Sequence, residues 1–118
     1  MRKMLFVLLL AAPVFAADLT KIRIVVTNAA GKPVDRANVI VKFEGRSIVK
    51  FGRKVKTSWE MRSSQEGVAN IPELPKGKIL VQVTARNYQT FGERFEVEED
   101  QRTIEVKLSP PQAQYSVH

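Results

Sequence analysis

Hydrophobic and polar residues alternate along most of the chain, with the two-residue period of strands that bury one face. The clearest stretch runs from residue 67 to residue 88. Apolar side chains occupy alternate positions at Ala69 and Ile71, and again from Ile79 to Ala85. Between these two runs, Lys76-Gly77 has the composition of a tight turn. This stretch therefore predicts two strands joined by a turn.

Other segments of the chain repeat this alternation, and Ser109-Pro110-Pro111 ends it because proline cannot donate to a strand ladder. The further predicted strands are 21–28, 37–43, 47–51, 55–61, 94–98 and 104–108. A turn is predicted at residues 29–33, and another at 52–54. After the first twenty residues, no window of a dozen has a helical period. The pattern predicts an all-β, Greek-key sandwich of about seven strands.

The first sixteen residues have the features of a secretory signal peptide. Arg2-Lys3 supply the positive charge, Leu5 to Ala12 form a short apolar core, and Val14-Phe15-Ala16 offer compact residues before a cleavage point. The apolar run is about half of the roughly 20 residues that a membrane-spanning helix needs, so a retained anchor is the weaker interpretation.

The sequence thus predicts a signal peptide at 1–16, a domain at 17–109 and a flexible tail at 110–118. We expect a periplasmic or secreted protein with no transmembrane span after processing. The processed chain has about 100 residues, which suits one domain. Without Arg2 and Lys3 it carries 17 basic and 12 acidic residues, a net charge near +5.

The inventory of reactive side chains argues against an enzyme. The chain has no cysteine, and its one histidine is the terminal His118. Thiol catalysis, histidine-assisted serine catalysis and a histidine-built zinc or iron site therefore lack their groups. No pair of carboxylates stands in an evidently apolar setting. We predict no catalytic residues, no metal and no cofactor.

Three motifs in a fixed order resemble a known family. They are Gly31-Lys32-Pro33-Val34 before Ala37-Asn38-Val39, then Leu74-Pro75-Lys76-Gly77 after Gly67, and then Asn87-Tyr88 after the strand that ends at Ala85. Together they resemble the carboxypeptidase regulatory-like domain, a transthyretin-like (prealbumin-like) β-sandwich, over about residues 20–109. The resemblance implies an accessory domain of exported proteins, attached to carboxypeptidases or outer-membrane receptors or standing alone, without catalysis of its own.

Two positions depart from the family pattern. Asn87 stands where the family usually has glycine, and asparagine tolerates the left-handed conformation better than most residues. Residues 45–62 are longer than the usual connection and predict an added or extended hairpin.

The segment from Arg36 to Arg62 is strongly basic, with eight basic and two acidic residues and a net charge of +6. Such a cluster attracts an anionic polymer, lipid head groups or an acidic partner. The alternative is that these charges only occupy solvated strand faces. The candidate binding residues, which surround the predicted hairpin, are Arg46, Lys50, Arg53 and Lys54. Because export separates the chain from nucleic acid, we expect a protein or an anionic envelope polymer as partner.

Trp59 is a second candidate. With Phe51, Tyr88 or Phe91 it would form a platform for a sugar ring, although a tryptophan on the inward side of a strand more often belongs to the core. The sequence leaves open a carbohydrate-binding accessory protein as the alternative to a non-catalytic envelope module that binds or scaffolds.

Acidic residues cluster late in the chain, at Glu93, Glu96, Glu98, Glu99 and Asp100. Oxygen ligands in a turn suit calcium, but their spacing matches no dedicated calcium loop. The alternative is a solvated acidic edge complementary to the basic segment, which would favour head-to-tail association of copies and weaken with salt. The oligomeric state stays open.

Overall fold

The computed structural model describes residues 19–45, 49–50 and 53–111. The predicted signal peptide, Arg46 and the tail from residue 112 lie outside the described residues. The side chains of residues 49–50 and 53–54 lie outside them too, so for Lys50, Arg53 and Lys54 only the backbone is described.

The described chain folds into β-strands and turns. The strands are β1 (Leu19–Thr27), β2 (Asn38–Phe43), β3 (Val49–Lys50), β4 (Arg53–Lys54), β5 (Ser58–Arg62), β6 (Val68–Pro75), β7 (Gly77–Thr84), β8 (Phe91–Val97) and β9 (Gln101–Lys107). Seven of them form two sheets, one in the order β6-β1-β9 and the other in the order β5-β2-β7-β8. The predicted Greek-key sandwich of about seven strands is confirmed. Within the described ranges we find no helix long and apolar enough to cross a bilayer.

Consecutive strands mostly lie in opposite sheets. Of the turn predicted at Lys76-Gly77, Lys76 lies between the strands, whereas Gly77 already begins β7. The two strands lie in different sheets, since β6 pairs with β1 and β7 pairs with β2 and β8. The chain also changes sheet between β1 and β2 and between β8 and β9. β1 and β9 run parallel, from Lys21 opposite Gln101 to Thr27 opposite Lys107. These connections join the two layers, whereas β7 and β8 follow one another as neighbours in the same sheet.

The inner faces of both sheets supply an aliphatic core. Ile22, Ile24 and Val26 of β1 alternate with exposed or half-buried residues, as the sequence predicts. The fully buried side chains of the described residues include Ile22, Ile24, Val26, Val39, Val41, Ile71, Leu74, Ile79, Val81, Val83, Val97 and Leu108. Half-buried side chains pack around this centre and include Phe43, Trp59, Met61, Tyr88, Phe91 and Phe95. The aromatic residues thus form the margin of the core, not its middle.

Side chains join the edge strands of the two sheets at both open sides of the sandwich. On one side, Trp59 of β5 donates its indole N–H to the carbonyl of Glu73 on β6, at 2.7 Å. On the other side, Arg102 of β9 donates to the carbonyl of Glu96 on β8, at 2.8 Å. Each bond runs between edge strands of different sheets. These contacts hold the two layers together where the aliphatic core ends.

The loops follow their sequence signals closely. Asn28 accepts hydrogen bonds on its side-chain oxygen from the backbone N–H groups of Ala30 and Lys32, at 2.9 and 3.0 Å, which fixes the predicted turn at 29–33. Asn87 has φ of 72°, in the left-handed region expected for it.

The segment between β2 and β5 differs from its prediction in one respect. The predicted added hairpin is present, since β3 and β4 pair antiparallel with Val49 opposite Lys54 and Lys50 opposite Arg53. The prediction of a turn at residues 52–54 is wrong for Arg53 and Lys54, which lie in β4. The turn signal of Gly52 was extended too far, because a run of basic residues has no alternation to reveal a two-residue strand.

Gly67 provides a test of the close approach between the turn before β6 and the neighbouring strand β1. Its φ is +79°, and a Cβ there would lie 2.4 Å from the carbonyl oxygen of Val26. Gly31 has a similar φ of +82° but open space around it. We expect Gly31→Ala to cost about 1 to 2 kcal/mol from backbone strain, and Gly67→Ala to add about 1 to 3 kcal/mol of overpacking.

Urea unfolding of the two variants and the parent chain measures this difference. Equal midpoints for the two alanine variants would contradict the close approach of the backbone at Gly67.

Candidate functional site

A groove lined by arginines lies at one end of the four-stranded sheet. Asn38 opens β2 and is opposite Arg62 at the end of β5 on one side and opposite Thr84 at the end of β7 on the other. Strands are about 4.8 Å apart, so this row of three residues spans roughly 10 Å. Arg36 lies two residues before the start of β2, and Arg86 lies two residues after the end of β7. Antiparallel pairing therefore brings three arginines from distant parts of the sequence to one end of the sandwich.

We call this feature the arginine groove. Its lining residues are Val34, Asp35, Arg36, Asn38, Arg62, Thr84, Ala85, Arg86 and Tyr88. The groove has a volume of about 800 Å³. The lining contains three arginines and one acidic residue, Asp35, and the carboxylate of Glu60 lies next to it, bound to Asn38 at 3.0 Å. The groove therefore has an excess of positive charge. Among the described residues, no carboxylate oxygen comes within 4.0 Å of any of these three guanidinium groups.

Arg36 has a strained backbone that a buried serine holds in place. Its φ is 60°, in the left-handed region that arginine rarely occupies. Its N–H donates to the carbonyl of Ser63 at 3.1 Å. The Ser63 hydroxyl accepts from the N–H of Ala37 at 2.9 Å and donates to the carbonyl of Val34 at 2.7 Å. A second backbone–backbone bond, from the Ser63 N–H to the Ala37 carbonyl at 2.9 Å, completes the clamp.

The strain at Arg36 bears on function. A non-glycine residue in this region costs of order 1 to 3 kcal/mol and persists only where its surroundings fix it, and such residues cluster at binding and active sites. Ser63 is only 4% exposed and directly follows the edge strand β5, so the fold itself fixes the turn that contains Arg36. The backbone of Arg36 is therefore held in one conformation, which fixes the point from which its side chain extends along the groove.

The basic segment predicted from sequence is divided by the fold. Arg36 and Arg62, its two ends, come together in the arginine groove. Lys42 lies on the outer face of β2, and Lys56 lies over Trp59. The backbones of Lys50, Arg53 and Lys54 share the β3–β4 hairpin, while Arg46 lies outside the described residues; whether these four bind a partner stays a prediction.

Arg86 is the groove residue that sequence reasoning missed. It is 24 positions after Arg62 and falls outside the basic segment. The available signal was its place two residues past the end of a strand, mirroring Arg36 two residues before the start of another. That symmetry has meaning only once β2 and β7 are known to be antiparallel neighbours.

Trp59 lies at the margin of the core, with its ring between the two sheets. It is opposite Val41 on the inner face of the sheet, is half-buried, and makes the hydrogen bond to Glu73 described above. The ammonium group of Lys56 lies 4.0 Å from its ring centroid, a cation–π contact over one face. A sugar ring stacking on that face would have to displace Lys56.

The acidic residues of β8 and the β8–β9 turn are engaged with the fold or with solvent. Asp100 accepts a hydrogen bond from Lys76 at 2.6 Å. Hydrogen bonds from the backbone N–H groups of Glu99 itself and of Glu98, helped by nearby Arg102 and Lys76, lower the pKa of Glu99. In the described ranges, no three acidic, histidine or cysteine side chains are grouped as a metal ion would require.

The fold and the groove together define an all-β sandwich domain whose distinctive surface is basic and polar. The sequence matches the carboxypeptidase regulatory-like domain over residues 21–109, and the chain belongs to that family. The resemblance stated from the three turn motifs is therefore confirmed. A search of curated proteins gave no significant match.

Solved structures share the fold at low sequence identity. The TIE protein of Bacillus anthracis is 16% identical with a TM-score of 0.60, over 79% of this chain and 17% of that one. The minor pilin of Streptococcus agalactiae is 14% identical with a TM-score of 0.59, over 86% of this chain and 49% of that one. Catechol 1,2-dioxygenase of Pseudomonas arvilla is 8% identical with a TM-score of 0.61, over 82% of this chain and 54% of that one. The chain thus spans about half or less of each of these proteins, and the likeness concerns the fold alone.

Ser63 provides a test of the clamp beside the arginine groove. In Ser63→Ala, the buried N–H of Ala37 and the carbonyl of Val34 lose their side-chain partner, and each buried polar group left unpaired costs about 1 to 3 kcal/mol. The neighbouring Ser64→Ala is the matched control, because its hydroxyl is exposed and makes longer contacts, of 3.2 to 3.3 Å. We expect urea unfolding to give a clearly lower stability for Ser63→Ala. Equal losses in both variants would refute the clamp.

Trp59 provides a test of the two interpretations of its ring. Trp59→Phe keeps most of the packing but loses the hydrogen bond to Glu73, so we expect a loss of about 0.5 to 1.5 kcal/mol in the free energy of unfolding. Lys56→Gln is the control, with a smaller loss of about 0.5 to 1 kcal/mol from the cation–π contact. Because the chain has one tryptophan, its emission reports on this ring alone. An emission shift on adding neutral oligosaccharides would contradict the structural role and support a sugar platform.

Proposed function

We propose that this protein is a non-catalytic module of the cell envelope, which is exported and then acts by binding or scaffolding. The observation that carries the proposal is membership of the carboxypeptidase regulatory-like family across residues 21–109. That match spans every strand of both sheets except the first two residues of β1, so the family accounts for the whole sandwich.

The structural neighbours share the sandwich fold, and the proposal of an extracytoplasmic role does not depend on them. A minor pilin uses this sandwich for about half of its length. The catechol dioxygenases share the fold at 8% identity, which carries no functional argument. This chain has one histidine and no cysteine in its full sequence, so it lacks the side chains for a histidine-rich metal centre.

Binding, on this proposal, occurs on the surface of the sandwich rather than in its interior. The inner faces of both sheets are filled by aliphatic side chains, which leaves the loops and outer faces for contact. The partner is a protein or an anionic envelope polymer. The candidate residues that would meet it are Arg46, Lys50, Arg53 and Lys54, the last three of which belong to the β3–β4 hairpin.

Export is tested by expressing the full chain with a C-terminal tag in a bacterial host. We expect the tagged protein in the periplasmic or extracellular fraction, with a new N-terminus at Ala17 after cleavage behind Ala16. A chain that keeps Met1 and remains in the cytoplasm would overturn the proposal.

Binding by the hairpin is tested by co-sedimentation of the purified protein with washed envelopes in 0.15 M salt. Replacing Arg46, Lys50, Arg53 and Lys54 by glutamate should lower the bound fraction roughly fivefold, because these positions would then repel an anionic partner instead of attracting it. The matched control reverses four charges of the three-stranded sheet and its first turn, namely Lys21, Arg23, Lys32 and Lys107. If the control loses as much binding as the hairpin variant, the hairpin has no specific role.

A further inference from the structure

The arginine groove has an excess of positive charge that the described part of the fold does not neutralise. Arg36, Arg62 and Arg86 line it, and no carboxylate of the described residues lies within 4.0 Å of their guanidinium groups. Three ion pairs join described residues, namely Arg94 with Glu44 at 2.8 Å, Lys76 with Asp100 at 2.6 Å and Arg102 with Glu99 at 3.8 Å. Basic side chains without a described partner of this kind also occur outside the groove, for example at Lys21 and Arg23. What sets the arginine groove apart is that it gathers three arginines from separate elements, none of them in an ion pair with a described carboxylate, along one concave surface.

Guanidinium groups have a specific chemical preference. Each presents planar N–H donors that match the two oxygens of a carboxylate or phosphate, so three of them in one groove form a site for oxyanions. We propose that the arginine groove binds an acidic glycan through the carboxylate or phosphate groups of its sugars.

The size of the groove favours a chain segment over a single ion. Its volume of about 800 Å³ is in the upper part of the range of about 300 to 1,000 Å³ found for small-molecule sites. The three arginines come from three separate elements: the turn before β2, the end of β5 and the turn after β7. Such spacing suits a polymer with repeated negative charges.

The lining between the arginines favours a glycan over an acidic peptide. Asn38, Thr84 and Tyr88 offer an amide and two hydroxyls, the groups that hydrogen-bond with sugar hydroxyls. Asn38 uses its amide N–H on Glu60 at 3.0 Å, which leaves its amide oxygen as an acceptor. The apolar part of the lining consists of Val34, which is buried, Ala85 and the ring of Tyr88, so the groove offers little apolar surface for the side chains of a peptide.

The strained turn at Arg36 is already ordered before any ligand binds. Ser63 clamps the backbone on both sides of Arg36 through the bonds to Val34 and Ala37, so ligand binding need not order this turn. Preorganisation reduces the entropy cost of binding. This role would explain why the chain keeps an arginine where glycine or asparagine would be less strained.

The choice of a glycan as ligand rests on the proposed function, since an exported protein meets such polymers. The binding of oxyanions by the groove does not depend on export. Binding is therefore measured on the purified protein by calorimetry in 0.15 M salt, apart from any localisation experiment. The probes are polygalacturonate for carboxylate, poly(glycerol phosphate) for phosphate, poly-L-glutamate for an acidic peptide and dextran as the neutral polymer.

The key variant is Arg36→Gly, Arg62→Gln and Arg86→Gln together. Glycine accepts the φ of 60° without strain, so the fold is preserved while the charge is lost. The matched control removes three exposed charges from the outer face of the other sheet, through Lys21→Gln, Arg23→Gln and Lys107→Gln. Circular dichroism of both variants checks that the sandwich is intact.

We expect polygalacturonate or poly(glycerol phosphate) to bind the parent chain, with affinity at least about tenfold lower in the groove variant and within about twofold in the control. Whichever of these two glycans binds more tightly shows whether the groove prefers carboxylate or phosphate. Equal losses in groove variant and control would overturn the proposal, because only net charge would then matter. Tighter binding of poly-L-glutamate than of both acidic glycans would overturn it in favour of a protein partner, and binding of neither glycan would refute it outright.

Discussion

The structure depends on the face-to-face packing of two aliphatic sheet surfaces. Full burial of a valine, leucine or isoleucine side chain contributes about 1.5 to 3 kcal/mol, and the conformational entropy lost on folding is of similar total size. A chain without disulfides therefore relies on this interface being continuous. The interface is narrow, with three strands on one side and four on the other. Its margins need further closure, which half-buried aromatic rings and two hydrogen bonds between edge strands provide.

Because packing uses the inner faces, recognition is left to the ends and outer surfaces. The arginine groove forms where β2 begins and where β5 and β7 end, so its geometry follows from strand register rather than from a loop of its own. Ser63 connects the two levels of organisation. It sits in the buried edge of the sandwich, and its hydrogen bonds fix the left-handed turn that carries Arg36. Ser63 therefore contributes both to the stability of the fold and to the position of Arg36 in the proposed ligand site.

Local sequence signals predict the elements well but not their partners. The alternation of Ile22, Ile24 and Val26 and the break between strands at Lys76 depend only on neighbouring residues, and both are confirmed. Which strand pairs with which depends on contacts between distant residues, so nothing local shows that β6 and β7 lie in opposite sheets. The same limit explains the site. Arg36 and Arg62 were noticed as part of a basic segment, whereas Arg86 joins them only through the pairing of β2 with β7.

The parallel pairing of β1 with β9 has a mechanical consequence. The chain enters the sandwich at one end of this pair and leaves it at the other, after seven paired positions that span roughly 20 Å. A pulling force between the two flanking segments would act along both strands in opposite directions. It would load all of their ladder bonds together in shear, instead of opening them one after another like a zipper. A domain connected in this way resists tension most strongly along the axis through which it is tethered.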